Sequence, residues 1–303
     1  MRLLSLLIVF ALAGCLTLPS SGPRETPPTK SPVAEAPARK PPKVALALGG
    51  GAARGVAHVG VIKALEAQGL HPDFIVGTSA GAVVGVLYAS GLSGFELQKI
   101  AIQLDEAAVT DWSLPDRGVL KGEALQDTVN KLLGNRPIEK LPRRFAAVAT
   151  NLKTGEPIVF ENGNAGMAVR ASSAVPGVFR PVAISGQEYV DGGLVAPVPV
   201  RIARAMGADI VIAVDISAKP QWGKTGSSLE VLLQTFAIMG QSISRFELAD
   251  ADIVVRPQTP EIKATDFQGR HVAILEGEKA VAAILPALKA RLARCSSFRR
   301  PGR

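Results

Sequence analysis

Three clusters of residues in this chain have the types and spacing for covalent chemistry on a carbonyl. The first is Gly77-Thr78-Ser79-Ala80-Gly81, a Gly-x-Ser-x-Gly turn between the run Phe74-Ile75-Val76 and a stretch of small residues ending at Gly85. A serine raised clear at a sharp strand-to-helix turn needs neighbours without bulk, and Gly77 and Gly81 meet that need. The helix expected after it brings backbone N–H groups and a positive dipole end to Ser79, where negative charge would develop. The segment reads as a nucleophile elbow.

The second cluster is Gly49-Gly50-Gly51-Ala52-Ala53-Arg54-Gly55. A dinucleotide fingerprint starting at Gly49 would need a glycine where Arg54 stands, and a phosphate-binding loop starting at Gly50 would need a lysine where Val56 stands. Both nucleotide readings fail. A glycine-rich strand-to-helix turn remains, with exposed backbone donors suited to an oxyanion. The third cluster is Asp191-Gly192-Gly193, a carboxylate at the end of a short strand where backbone can approach closely. Only three histidines are present, His58, His71 and His271. His58 reads as a packed residue one turn into a helix, and only His271 has the chain position that a Ser-His-Asp triad would require.

The elements that must position these clusters alternate between strand and helix. Val44 to Leu48 is a continuous apolar run of the kind found in buried parallel strands, and Val56 to Gln68 reads as the helix that follows. Asp73 to Val76 leads into the elbow, and a central, nearly all-apolar helix runs from Ala80 to Ser90. Leu92 to Gly118 is expected as a helical excursion, Gly122 to Leu133 as a surface helix and Ala165 to Ser173 as a short one. Phe145 to Thr150 with Pro157 to Phe160, and Val182 to Ile184 with Gln187 to Val190, read as hairpins. Helices at Val200 to Met206, Ser227 to Leu248 and Ala273 to Leu292 alternate with strands at Ile210 to Val214 and Ile253 to Val255. This order predicts an α/β fold with a mostly parallel sheet and helices on both faces.

The composition agrees, with 47% hydrophobic, 20% charged and only 5% aromatic residues, so the core must be packed from small aliphatics. The net charge of +8 has several of its cations in the last stretch, among them Arg291, Arg294, Arg299, Arg300 and Arg303, without a basic stripe interleaved with aromatics. Nucleic-acid binding is not expected. No Cys-x-x-Cys or clustered histidines are present, so neither a metal nor any other cofactor is expected.

The start of the chain has a different character. Met1 to Gly14 has Arg2, an apolar run and then small residues, which reads as a secretory signal peptide over residues 1–14. Leu12-Ala13-Gly14-Cys15 resembles the bacterial lipobox, which implies acylation of Cys15 and a lipid anchor in the membrane. Leu16, where an aspartate would signal retention, favours export to the outer membrane, facing the periplasm. Residues 15–42 are dense in Pro with no hydrophobic period and read as a disordered tether. The catalytic domain is expected over 43–292 and a basic tail over 293–303.

Gly49 to Gly55, Gly77 to Gly81, Ala171-Ser172-Ser173-Ala174-Val175-Pro176 and Asp191-Gly192-Gly193 occur in one order. From about Lys43 to Leu292 that order resembles the bacterial branch of the patatin-like phospholipases. The resemblance implies a three-layer α/β/α fold and a serine lipid acyl hydrolase of phospholipase A, lysophospholipase or carboxylesterase type, acting without metal on lipid or phospholipid esters. By position, Ser79 would be the nucleophile and Asp191 its base. Gly50, Gly51 and Ala52 would supply the oxyanion hole and Arg54 would fix the loop, with Gly49, Gly55, Gly77, Gly81, Gly192 and Gly193 in support. A base in direct reach of the serine must be partly desolvated, so Asp191 is expected to have a raised pKa. The glycine loop is one residue longer than the plant form, and Ala196 stands where many bacterial relatives carry Asn, removing one loop-supporting side chain. The alternative from another class is a non-catalytic, membrane-anchored lipoprotein that uses the same fold to bind lipid or scaffold partners.

Overall fold

A computed structural model describes residues 42–104, 118–220, 223, 225–259 and 269–297. The signal segment, Cys15, nearly all of the tether, residues 105–117 of the expected excursion and the end of the basic tail lie outside the described residues. The described part belongs to one unit, Lys40–Arg303.

In chain order the elements are β1 (Val44–Leu48), a 3-10 turn (Ala52–Val56), α1 (Ala57–Ala67), β2 (Phe74–Thr78), α2 (Ala80–Ala89) and α3 (Gly94–Gln103). Next come β3 (Gly118–Leu120), α4 (Glu123–Leu132), β4 (Arg144–Asn151), β5 (Pro157–Phe160), α5 (Ala165–Ser172) and β6 (Gly177–Phe179). Then follow β7 (Val182–Ile184), β8 (Gln187–Asp191), α6 (Val200–Ala205), β9 (Ile210–Val214), α7 (Ser228–Ala249), β10 (Ile253–Val255) and α8 (Arg270–Ser297).

Strands β10, β9, β1, β2 and β4 form the parallel part of the main sheet. Strands β5, β7 and β8 are its antiparallel part. The expected mostly parallel sheet is therefore present, and both expected hairpins are part of it. A separate parallel pair, β3 with β6, was not anticipated. Its strands have three residues each, too short for a hydrophobic period to register.

The apolar runs of β1 and β2 feed two layers because successive side chains point to opposite faces. Leu46, Leu48 and Ile75 pack with α1, α2 and α8, whereas Ala45, Ala47, Phe74 and Val76 pack with α6 and Leu248 of α7. The helix at the chain end is longer than the expected Ala273 to Leu292 span, starting at Arg270. It crosses α1 with glycines at the contact, where a Cβ on Gly60 or Gly277 would overlap a backbone carbonyl of the other helix. In α3, Ser93 and Glu96 form a capping box that fixes the start of the helix.

The register of β4 decides the site. Thr78 of β2 pairs with Val148, and Asp191 of β8 pairs with the next residue, Ala149. Strand β5 pairs with Ala147, Val148 and Ala149 as well, so it holds one edge of β4 while β2 and β8 share the other. The two strands meet end to end, and the residues at their tips are brought face to face.

Because α1 and α8 touch through backbone, Gly60→Leu should force them apart and destabilise the protein by about 2–3 kcal/mol. A urea titration checks this as a lowered midpoint with an unchanged slope.

Candidate active site

Ser79 sits immediately after β2 with φ 53° and ψ −122°, a conformation that L-residues rarely adopt. Strain of this kind costs on the order of 1–3 kcal/mol and persists only where the surroundings over-determine it. Here those surroundings are specific. The Ser79 N–H donates to Ser172 Oγ at 2.9 Å, and that hydroxyl donates in turn to Val148 O at 2.5 Å. Ser172 thus joins the elbow to β4. Thr78 Oγ1 donates to Ala196 O at 2.8 Å, and Ala196 N–H to Gly192 O at 2.8 Å, so the loop at Ala196 is supported through its backbone without an Asn side chain.

The expected glycines lie where chain segments touch. A Cβ on Gly81 would overlap Leu48 O, and one on Gly77 would meet backbone of Gly81 and Ala82, closing the strand against the helix. A Cβ on Gly50 would come within 3.2 Å of Ser79 Cβ, and one on Gly55 within 2.6 Å of Ala80 Cβ, so the glycine loop lies directly on the elbow. Gly192 faces Val148 O with no room for a side chain, and Gly49 is wedged between Val198 and Val214 O.

One of the three expected oxyanion donors is engaged elsewhere. The Gly50 N–H donates to Pro197 O at 2.9 Å, which removes it from the expected set of donors. The glycine there leaves room for the close approach to Ser79, and its amide is used to hold the loop. Gly51 and Ala52 have no hydrogen bond from their N–H groups among the described residues. Both open the 3-10 turn Ala52–Val56, where amides lack internal partners. Ala52 has φ 50°, a second strained non-glycine residue beside Ser79.

Two buried cationic-type side chains hold this loop from behind. Arg54 Nε donates to Ile216 O at 2.9 Å, tying the loop to the chain after β9. Burial lowers its pKa to about 10, opposed by the charge of Asp215, so the guanidinium stays ionised at neutral pH. His58 is fully buried and its Nε2 lies 2.8 Å from Gly49 O. A carbonyl accepts only, so Nε2 carries the proton. Burial pushes this imidazole down to about 4, and it is a neutral strut for the loop. His271 lies exposed on the first turn of α8, and neither Ser79 nor Asp191 has a hydrogen bond to it.

Asp191 is 7% exposed at the tip of β8. Its N–H donates to Ala174 O at 3.0 Å, its carbonyl accepts from Thr150 Oγ1 at 2.8 Å, and its Oδ1 accepts from Gly193 N–H at 2.7 Å. Oδ2 is buried without a hydrogen-bond partner among the described residues. Burial pushes the carboxyl up to about 6, and the Ser79 hydroxyl and Gly193 N–H act in the opposite direction. Ser79 is thus close enough to favour the carboxylate, while no bond of ordinary geometry joins the two; catalytic hydrogen bonds in ligand-free sites are often long. The arrangement can take a proton from a serine at neutral pH and hold an oxyanion on backbone amides. Among the described residues no group of three or more His, Cys, Asp and Glu is placed to hold a metal.

Ser79, Asp191 and the loop are legible in the residue pattern, and His58 is packed as expected, but its bond to Gly49 O and the bridge made by Ser172 are not. Ser172 lies in the Ala171–Pro176 block, and its task is visible only once β4 is in place. The expected Gly49–Gly55, Gly77–Gly81 and Asp191–Gly193 clusters are brought together.

The sequence model for the patatin-like phospholipases matches residues 46–204. A similar chain, an uncharacterized NTE family protein of Mycobacterium tuberculosis, is 41% identical over 178 residues, which cover 58% of this chain and 49% of that protein. The human patatin-like phospholipase domain-containing protein 6 is 33% identical over 186 residues, covering 59% of this chain and 14% of that one. The chain thus spans about half the length of the mycobacterial relative, or less of the human one. Among solved structures, VipD from Legionella pneumophila superposes with a TM-score of 0.48 at 14% identity, covering 82% of this chain and 68% of that one. With the family's sequence model spanning more than half of its residues, the chain belongs to the patatin-like phospholipase family.

Proposed function

We propose that the chain is a serine lipid acyl hydrolase using a Ser79-Asp191 dyad. Asp191 takes the proton of Ser79 Oγ as that oxygen attacks the ester carbonyl, and the amides of Gly51 and Ala52 bind the resulting oxyanion. Collapse expels the alcohol, which receives the proton from Asp191. Water then repeats the sequence on the acyl-enzyme and releases the fatty acid. The observation that carries this reading is Asp191 itself: a buried carboxyl at about 6, with Oδ2 free of hydrogen bonds, at the tip of the strand that meets the strained serine.

A lipid or phospholipid ester as substrate is supported by the family and by the apolar surface of α7. That helix packs on the turn after Asp191 and exposes Leu229, Val231, Ile238, Met239 and Phe246. Acylation of Cys15, anchoring in the outer membrane and a periplasmic domain follow from the lipobox resemblance and complete the proposal. Incubating phospholipid membranes with the wild-type chain and with Ser79→Ala, and comparing released fatty acids, tests the reading. Absence of Ser79-dependent release across acyl lengths would overturn it.

Removing the base should separate activity from stability. Asp191→Asn is expected to lower turnover by roughly 10²–10⁴-fold. The native pKa of about 6 lies above the ordinary 3.8, so the native state binds this proton more tightly and loses stability as pH rises from 3.8 through 6. At pH 8 the neutral Asn should therefore raise stability, by up to about 3 kcal/mol, read as an increased Tm. In the wild type, kcat/KM for a soluble ester should rise through about pH 6 and level off above it, as Asp191 ionises.

Ser172→Ala deprives the buried Ser79 N–H of its acceptor. It should cost about 1–3 kcal/mol of stability and lower kcat more than it raises KM, which ester kinetics and thermal melting together would show.

A further inference from the structure

A cavity of about 480 Å³ opens beyond the carboxyl ends of β9 and β10, between the segments following those strands and the second half of α7. Its lining combines three cations, Lys219, Arg245 and Arg256, with one carboxylate, Asp215. That carboxylate is already engaged: Oδ1 accepts from Ser217 N–H at 3.1 Å, Oδ2 lies 3.5 Å from Arg256 Nε, and its field reaches the buried Arg54. The cavity therefore has a net positive lining.

Two hydroxyls in the wall lack hydrogen-bond partners among the described residues. Ser244 is 4% exposed, and its Oγ has no hydrogen bond; the buried Ser217 Oγ has none either. A buried hydroxyl left without an acceptor is unfavourable by about 1–3 kcal/mol, and a ligand oxygen would remove that penalty. The site also lies at the carboxyl ends of parallel strands, where α/β sheets bind ligands.

We propose that this cavity binds a phosphoryl-bearing anion, held by Arg245, Arg256 and Lys219 and accepting hydrogen bonds from Ser217 and Ser244. Its volume falls within the roughly 300–1,000 Å³ of small-molecule sites, so it has room for a phosphate ester with its attached polar group. Ile216, between Asp215 and Ser217, accepts the Arg54 hydrogen bond and abuts Gly51, so the occupant sits one residue from the support of the oxyanion loop. The phosphoryl group has two sources, the headgroup of a bound phospholipid or a free phosphate ester.

Binding is tested without turnover, by calorimetric titration of the full-length Ser79→Ala chain with glycerol 1-phosphate. Saturable binding is expected, about tenfold weaker in Arg245→Gln, where one charge-assisted contact is lost. It should also weaken several-fold in Ser244→Ala, which removes a hydroxyl without a hydrogen-bond partner among the described residues and so leaves the fold intact. No saturable binding, or an affinity in both variants equal to that of the parent Ser79→Ala chain, overturns the proposal.

The source is assigned with active enzyme, and this arm alone rests on the hydrolase reading. A headgroup source predicts that the preference for phosphatidylglycerol over diacylglycerol falls about tenfold in Arg245→Gln. A free-ester source predicts that glycerol 1-phosphate alters hydrolysis of a nitrophenyl ester by wild type, with the response shifted to higher concentration in Arg245→Gln. A chain that binds glycerol 1-phosphate but hydrolyses none of these esters would refute the hydrolase and leave the anion site standing.

Discussion

The contact on which the site depends is one between backbones. The end of β1 and the start of α2 approach so closely that a side chain on Gly81 would occupy the space of Leu48 O, and Gly50 lies against Ser79 Cβ. A side chain at Gly50 would crowd the serine that would carry the acyl group. The proposed oxyanion donors, the amides of Gly51 and Ala52, follow directly on that contact, and preorganised donors are effective when no rearrangement is needed. The strain at Ser79 and Ala52 is the other side of the same constraint.

The rigidity of that contact is secured by polar groups with little chemistry of their own. Ser172 bridges the elbow to β4, His58 holds the carbonyl of Gly49, and Arg54 reaches Ile216. Each is buried, so each would be a liability without its partner. Their protonation states follow from their surroundings: the imidazole is kept neutral by burial, and the guanidinium remains charged with Asp215 nearby. Asp191 differs from all three. One of its oxygens is satisfied by Gly193 and the other is left open.

Much of this arrangement was legible because steric necessity leaves a mark on residue type. Gly77, Gly81 and the Gly49–Gly55 loop announce close approach, and the apolar runs Val44–Leu48 and Ile210–Val214 announce buried parallel strands. Ser172 was harder to read, since a small hydroxyl residue at a helix end is ordinary and its partner on β4 is supplied only by the tertiary fold. The engagement of the Gly50 amide by Pro197 could not be inferred either, because backbone hydrogen bonds across a loop leave no trace in side-chain identity. The β3–β6 pair escaped notice for want of length, and the shared edge of β4 is a matter of register that no local pattern encodes.

That shared edge has a consequence for the order in which the protein matures. Serine and aspartate meet only because β2 and β8 are both paired to the same side of β4, and β8 is reached after a long intervening stretch of chain. Contacts between distant segments form late, after loop-closure entropy has been overcome. A nascent chain that has made its elbow and glycine loop still lacks a carboxylate beside Ser79, and a chain cut short before β8 never acquires one. In this fold the serine and the carboxylate therefore come together only when the sheet is complete, whatever the state of the elbow and the glycine loop before then.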